Sequence, residues 1–205
     1  VEKEAVNLIG TAEVPLTAYH YDEILREAEL PKRYVGMSAC YRREAGTYGR
    51  DARGLYRIHQ FHKVEQVIIC TADEQVSIVA HDDIVRHAEE MLQALQLPYR
   101  VVNVCGGDLG APQVKKYDIE TWMPSRGGYG ETHSASRFYD FQARRLKLRY
   151  RDRQGRVQFR GLDACPGPFA GGLHGSHGPA GPRRGGHRRE PQHRHVEHER
   201  RHAEA

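Results

Sequence analysis

Apolar and polar residues alternate with a period of two along YVGMSACYR (34–42) and GLYRIHQFHKVEQVIIC (54–70). That alternation predicts two strands flanking a glycine-rich loop. A different rhythm runs through 73–96, where Val76, Val79, Ile84, Ala88, Met91, Leu92 and Leu95 recur at helical spacing, with room for a break near Asp82. A second helix is predicted over 15–29, opened by Pro15 and ended before Pro31. YRVVNVC, QVKKYDIETWMP and FQARRLKLRYRD read as strands, with PSRGGYGETHSASRFYD as the connection between the last two. Strands joined by short connections, with two helices inserted, predict an α+β domain built on an antiparallel sheet.

The pattern stops near residue 160. Residues 160–205 hold 7 of the 13 His, 9 of the 21 Gly and 5 of the 10 Pro, and no Lys, Ile or Tyr. Such a segment buries little apolar area, so disorder is expected. Its composition is what a GC-rich gene yields when read out of frame. Metal or RNA binding through His and Arg is the alternative reading; if 190–204 were helical, His195, His198 and His202 would share one face. The expected organisation is therefore one domain over 1–159 and a low-complexity tail over 160–205. Lys+Arg 31 against Asp+Glu 27 gives a net charge of +4, too balanced to argue for nucleic acid by itself. Cys40, Cys70, Cys105 and Cys165 contain no CxxC pair and read as reduced, intracellular core residues. No apolar run reaches membrane-spanning length and no leader is evident, so a cytoplasmic setting is expected.

The chemistry concentrates in CYRREAGTYGRDARGLYRIHQFHKVE, residues 40–65. Arg42 and Glu44 are two apart, and Phe61 and Glu65 four apart, so each pair shares a strand face. An arginine can clamp a phosphate or carboxylate bidentately, and a phenyl face can stack on a nucleobase. Arg50, Arg53 and Arg57 add a positive loop able to close over a triphosphate. There is no GxxxxGK[ST], so this is not a P-loop. By spacing alone, a charged hairpin with surface salt bridges explains the stretch equally well. His59 and His62 read as strand residues rather than metal ligands, and Trp122 as core packing.

The same residues resemble a known arrangement. Arg-x-Glu at 42–44, a Gly/Arg-rich loop and HQFHKVE are similar to motif 2 of class II aminoacyl-tRNA synthetases, in its seryl form. LIGTAEVPL (8–16) and ETHSASRFYDFQARRLKLRYRD (131–152) agree with the same family, in the same order. The resemblance covers 1–159, with motif 2 at 37–65. It implies an antiparallel class II catalytic core that binds L-serine, ATP and Mg2+, and that charges tRNA(Ser). By resemblance, Thr11, Ala12, Glu13, Arg42 and Glu65 contact serine. Arg42, Arg43, Glu44, Ile58, Phe61, Glu131, Thr132, His133 and Ser134 contact ATP, with Glu131 and Ser134 holding the metal. Arg42 and Glu131 carry the catalysis.

The resemblance also defines what is not matched. The N-terminal arm that grips tRNA, motif 1 with its homodimer interface, and motif 3 after Phe159 are not found in the chain. The catalytic core is therefore expected to be incomplete, with one strand lost from the sheet, an exposed apolar edge and little activity. Two alternatives remain: a non-catalytic nucleotide-binding remnant, and a paralogue that loads an amino acid onto a carrier protein.

Overall fold

The computed structural model describes residues 6–44 and 56–159, together with the backbone of 161–168 and 196–198. Its elements run α1 (Glu13–Ala18), β1 (Ile24–Arg26), β2 (Lys32–Tyr41), β3 (Gln60–Cys70), α2 (Glu74–Ala94), β4 (Tyr99–Asn103), β5 (Lys115–Met123), β6 (Gly128–Arg137), α3 (Phe141–Arg145), β7 (Arg149–Arg151), β8 (Val157–Phe159), β9 (Gly161–Pro168) and β10 (Val196–His198). Seven strands form one sheet in the order β10-β4-β5-β6-β9-β3-β2, antiparallel at every pairing. A second sheet joins β1, β7 and β8. The α+β, antiparallel expectation matches this architecture.

The helix α2 lies across one face of the large sheet. Asp73 caps it by accepting from the Val76 amide at 3.0 Å, satisfying one of the orphan donors of the first turn. Its buried stripe is Ser77, Ala80, His81, Ile84, Val85, Ala88 and Leu92. That stripe packs on Ile68, Tyr99, Ile119 and Ala135, a contiguous core shared by β3, β4, β5 and β6. The predicted helix is right in extent and runs without a break at Asp82. Its buried face is rotated from the predicted one, because Val76, Val79 and Leu95 face solvent. The opposite sheet face carries a second core, in which Val67 and Ile69 of β3 pack with Phe138, Ala143 and Leu148.

Three expectations change. The helix predicted over 15–29 stops at Ala18, and the chain passes through Asp22 at φ 58 into β1. Left-handed backbone at a non-glycine residue breaks helical hydrogen bonding. The segment read as a connection contains β6, the strand richest in buried polar residues among the described ones: Thr132, His133, Ser134, Ser136 and Arg137. FQARRLKLRYRD splits into α3 and β7, because Lys147 at φ 51 ends the helical turn.

The tail differs as well. Gly161–Pro168 pairs along the whole of Lys63–Cys70 and touches β6 at Ser136 and Arg137. A strand thus lies between β3 and β6 in the interior of the sheet, so β3 is paired on both sides. Val196–His198 pairs with the edge strand β4. Residues 169–195 and 199–205, including His195 and His202, lie outside the described residues, as do Arg50 and Arg53. Cys40, Cys70 and Cys105 are free thiols, the first two buried and the third exposed. Trp122 is half-exposed, edge-on to Tyr129 at 5.3 Å, and is not core packing.

Candidate functional site

The site forms on the sheet face away from α2. β3 alternates, so Phe61, Lys63 and Glu65 share one buried face and continue into Val67 and Ile69. Gly36 of β2 lies opposite Glu65 in register. A Cβ there would sit 3.1 Å from Leu16 Cδ1, so glycine lets α1 settle against the sheet. That approach brings Thr11 and Glu13 to β3.

Glu65 is fully buried. Its Oε2 accepts from Lys63 Nζ and from Thr11 Oγ1, at 2.6 and 2.7 Å. Lys63 Nζ also donates to Thr11 Oγ1 at 2.6 Å. Burial pushes the Glu65 carboxyl above its ordinary range, and the Lys63 charge opposes that. Glu65 Oε1 has no hydrogen-bond partner among the described residues. Ala12 is buried beside Thr11, and Glu13 Oε1 accepts from Gln142 Nε2 of α3 at 2.9 Å.

Arg42 follows β2. Its guanidinium lies over the Phe61 ring, 5.1 Å from the centroid, and its Nε donates to the Gly10 carbonyl at 3.4 Å. One face of Phe61 is therefore covered by a cation. Burial raises the Glu131 pKa and the Arg42 charge partly opposes that rise, so the two groups share one field. Arg43 is exposed, and Ile58 is half-buried just before β3. Glu44, at φ 50, binds Arg57 Nη1 at 2.6 Å in a nearly buried ion pair. Arg57 is thus held against Glu44.

A bulge decides the geometry of β6. In a regular strand Glu131 and Ser134, three apart, would face opposite sides. Glu131 pairs with Glu120 and His133 with Ile119, leaving Thr132 as the extra residue. The slip puts Glu131 and Ser134 on one face with Lys116, Asp118 and Glu120 of β5. Thr132 bonds Thr121 Oγ1 at 2.7 Å, and His133 Nδ1 at 2.9 Å, on the α2 side. Of the four consecutive residues expected at ATP, the structure brings Glu131 and Ser134 together and turns the side chains of Thr132 and His133 away. Burial alone depresses the His133 imidazole to about 4.

The Glu131 carboxyl is pushed up to about 7, first by burial and then by the neighbouring Asp118 charge, with Lys116 opposing. A carboxylate disfavoured by burial and by anions is relieved by a cation placed beside it. Mg2+ takes one or two carboxylates and completes its shell with water and phosphate oxygens. Glu131 with Ser134 fits that demand. No group of three or more His, Cys, Asp and Glu able to hold a metal alone occurs among the described residues. Tyr56 donates to the Glu131 carbonyl at 3.2 Å, tying the end of the loop to β6.

Five contributors were missed by sequence reasoning: Tyr56, Lys63, Lys116, Asp118 and Glu120. For three of them a signal was present. Charge at every second position in an otherwise apolar strand, as in Lys116-Asp118-Glu120, marks a buried polar face. Lys116 binds Asp118 at 2.8 Å, and Arg100 Nε donates to Glu120 at 2.7 Å.

The chain is 51% identical over 159 residues to the serine--tRNA ligase of Dictyoglomus thermophilum, covering 78% of this chain and 37% of that protein. It is 54% identical over 153 residues to that of Pyrococcus horikoshii, covering 75% and 33%. The chain thus spans about a third of the length of the curated relatives it matches. The crystal structure of seryl-tRNA synthetase from Pyrococcus horikoshii complexed with ATP superposes with a TM-score of 0.77 at 48% identity, over 82% of this chain and 37% of that one. The cytoplasmic serine-tRNA ligase of Naegleria fowleri in complex with AMP gives 0.71 at 36% identity, over 77% and 37%. The family model of the class II tRNA synthetase core domain (G, H, P, S and T) matches residues 1–161. The chain belongs to the class II tRNA synthetase core family.

Proposed function

We propose that this chain carries the ATP- and serine-binding part of a serine–tRNA ligase. The observation that carries the reading is the shared sheet face. Arg42 over Phe61, Glu131 beside Ser134, and the Lys63–Thr11–Glu65 cluster occupy one side of the sheet. A relative of 48% identity was solved with ATP.

In the proposed reaction a serine carboxylate oxygen attacks the α-phosphorus of ATP. An O–P bond forms, the bond to the β-phosphate bridge breaks, and pyrophosphate leaves with the electron pair. The 3′-terminal ribose hydroxyl of tRNA(Ser) then takes the seryl group from the adenylate, releasing AMP. The protein contributes position and charge rather than covalent chemistry. Arg42 neutralises the α-phosphate and holds the attacking carboxylate against it. Phe61 offers its ring, and Glu44 with the backbone near Ile58 borders the adenine. Glu13 and Glu65 present negative charge to the serine ammonium, and Glu65 accepts from the serine hydroxyl. Glu131 and Ser134 would hold Mg2+, which when bound neutralises phosphate charge.

A dimer and a cytoplasmic setting accompany the reading; no helix among the described residues is long and apolar enough to cross a membrane. Serine-dependent exchange of pyrophosphate into ATP, compared with glycine and alanine, tests the proposal. Exchange with serine alone supports it, and equal exchange with alanine removes the serine assignment. The chain's coverage of about a third of its relatives favours a second reading for these 205 residues in isolation: nucleotide binding without turnover. Binding of a seryl-adenylate analogue with no exchange would support that one.

A further inference from the structure

We infer that Lys63 is a positioning residue: with Thr11 it fixes Glu65 as a charged acceptor whose remaining open oxygen, Oε1, takes the hydroxyl of the bound amino acid. The inference rests on the serine reading and deepens it. A lysine ammonium has three donors and no acceptor. At 2.6 Å from Thr11 Oγ1 it therefore obliges that oxygen to accept. The Glu13 amide donates to the same oxygen at 3.1 Å. Both lone pairs of the hydroxyl are then used, and its proton has one destination, Glu65 Oε2 at 2.7 Å. Oε2 receives the Lys63 ammonium as well, at 2.6 Å.

The Thr11 hydroxyl is thus fully engaged within this cluster. It acts through Glu65, as Lys63 does. The Oε1 atom is buried and without a partner among the described residues, and leaving such an atom unmatched is costly. A ligand with an O–H at that point satisfies it, whereas one ending in a methyl does not. This gives the pocket a means of preferring serine to alanine that size alone cannot supply.

Among the described residues, two charged groups act on Glu65. Lys63 comes from β3 itself and Glu13 from α1; β2 places Gly36 opposite, and β9 places Pro166 opposite in register. Lys63 is the cation in this set. Its removal leaves a buried carboxylate with a like charge nearby, which favours the protonated form.

The test has two readouts on the 205-residue chain. The first is the carboxyl titration of Glu65 by infrared difference spectroscopy, with Glu65→Gln as the blank. Lys63→Met is expected to move the midpoint up by about one pH unit or more, with Lys63→Arg restoring it. Thr11→Val, which keeps the side-chain shape, is expected to move it in the same direction and serves if Lys63→Met does not fold. The second readout is binding of non-hydrolysable seryl- and alanyl-sulfamoyl adenosine and of AMP. At pH 7, Lys63→Met is expected to weaken the seryl analogue by about tenfold or more while AMP binding stays level, as for one lost charge-assisted hydrogen bond. An unmoved midpoint in both variants, or equal loss for AMP and the seryl analogue, overturns the role of Lys63. A moved midpoint in a chain that binds the seryl and alanyl analogues equally leaves the wiring standing and overturns the serine reading.

Discussion

Arg42 shows what a single side chain can be asked to do here. Its guanidinium is spread over the Phe61 ring and lies in the field of Glu131, so its position is set before any ligand arrives. A planar, permanently charged fork suits a phosphate and a carboxylate together in a way an ammonium does not. Arg42→Ala in a full-length parent is expected to abolish serine-dependent ATP–pyrophosphate exchange, with Arg42→Lys also losing most of it. Retained exchange in Arg42→Ala would sink the role. At this scale Phe61 and Glu65 were legible, because they sit four apart in β3 and share a face, whereas Arg42 and Glu44 lie past the end of β2 and Glu44, at φ 50, leaves the strand alternation. Lys63 was not, since a lysine in an exposed-looking hairpin gives no sign that it is buried against a carboxylate. The Glu44–Arg57 pair was equally hidden, being a meeting of residues 13 apart across a loop.

At the scale of elements, two features carry consequences. The bulge in β6 was invisible in the sequence, because ETHSAS has the polarity of a loop and no glycine marks the extra residue. Deleting Thr132 removes the extra residue and makes Glu131 the direct neighbour of His133, so ordinary alternation keeps Glu131 on the site face. The Mg2+-dependent part of ATP affinity is therefore expected to survive the deletion, measured by calorimetry with and without Mg2+; its loss would show that the bulge itself shapes the site. The second feature is α2, whose cap and apolar rhythm were plain, though its buried stripe includes a histidine that periodicity does not flag. His81 Nε2 donates to the Ala135 carbonyl at 3.0 Å, and its ring stacks on Tyr117. Burial lowers its pKa below the ordinary 6.5. The unfolded chain therefore binds a proton at a pH where the folded chain does not. Stability from this group is present above about 6.5 and is lost as pH falls from there toward the lower folded value. His81→Gln keeps a donor for the carbonyl and cannot titrate. Between pH 7 and 5 the urea midpoint of the variant is expected to fall less than that of the wild type. Parallel decline in the two would remove His81 as a source of acid sensitivity.

For the whole molecule, the decisive strand is the one composition argued against. GLDACPGP has two prolines, two glycines and little apolar character, so no propensity argument selects it as a strand. Its place comes from topology: β3 and β6 present unpaired edges to each other, and a chain leaving β8 passes between them. The backbone of 161–168 supplies donors and acceptors to both. Interior and edge strands should then respond differently to truncation. A chain ending at residue 160 loses β9 and leaves β2–β3 joined to the rest of the sheet only through α2, α1 and the second core. Its β3 would offer an open row of amides beside Val67 and Ile69, a template for pairing with other chains. A chain ending at residue 169 loses β10 but keeps every interior pairing, uncovering only the β4 edge. The shorter chain is expected to lose its cooperative thermal transition and to sediment as aggregates. The longer one is expected to keep a single transition close to that of the 205-residue protein. Identical melting and sedimentation of the two would mean that β9 contributes nothing to cohesion, and that α2 and the two cores hold the sheet together by themselves.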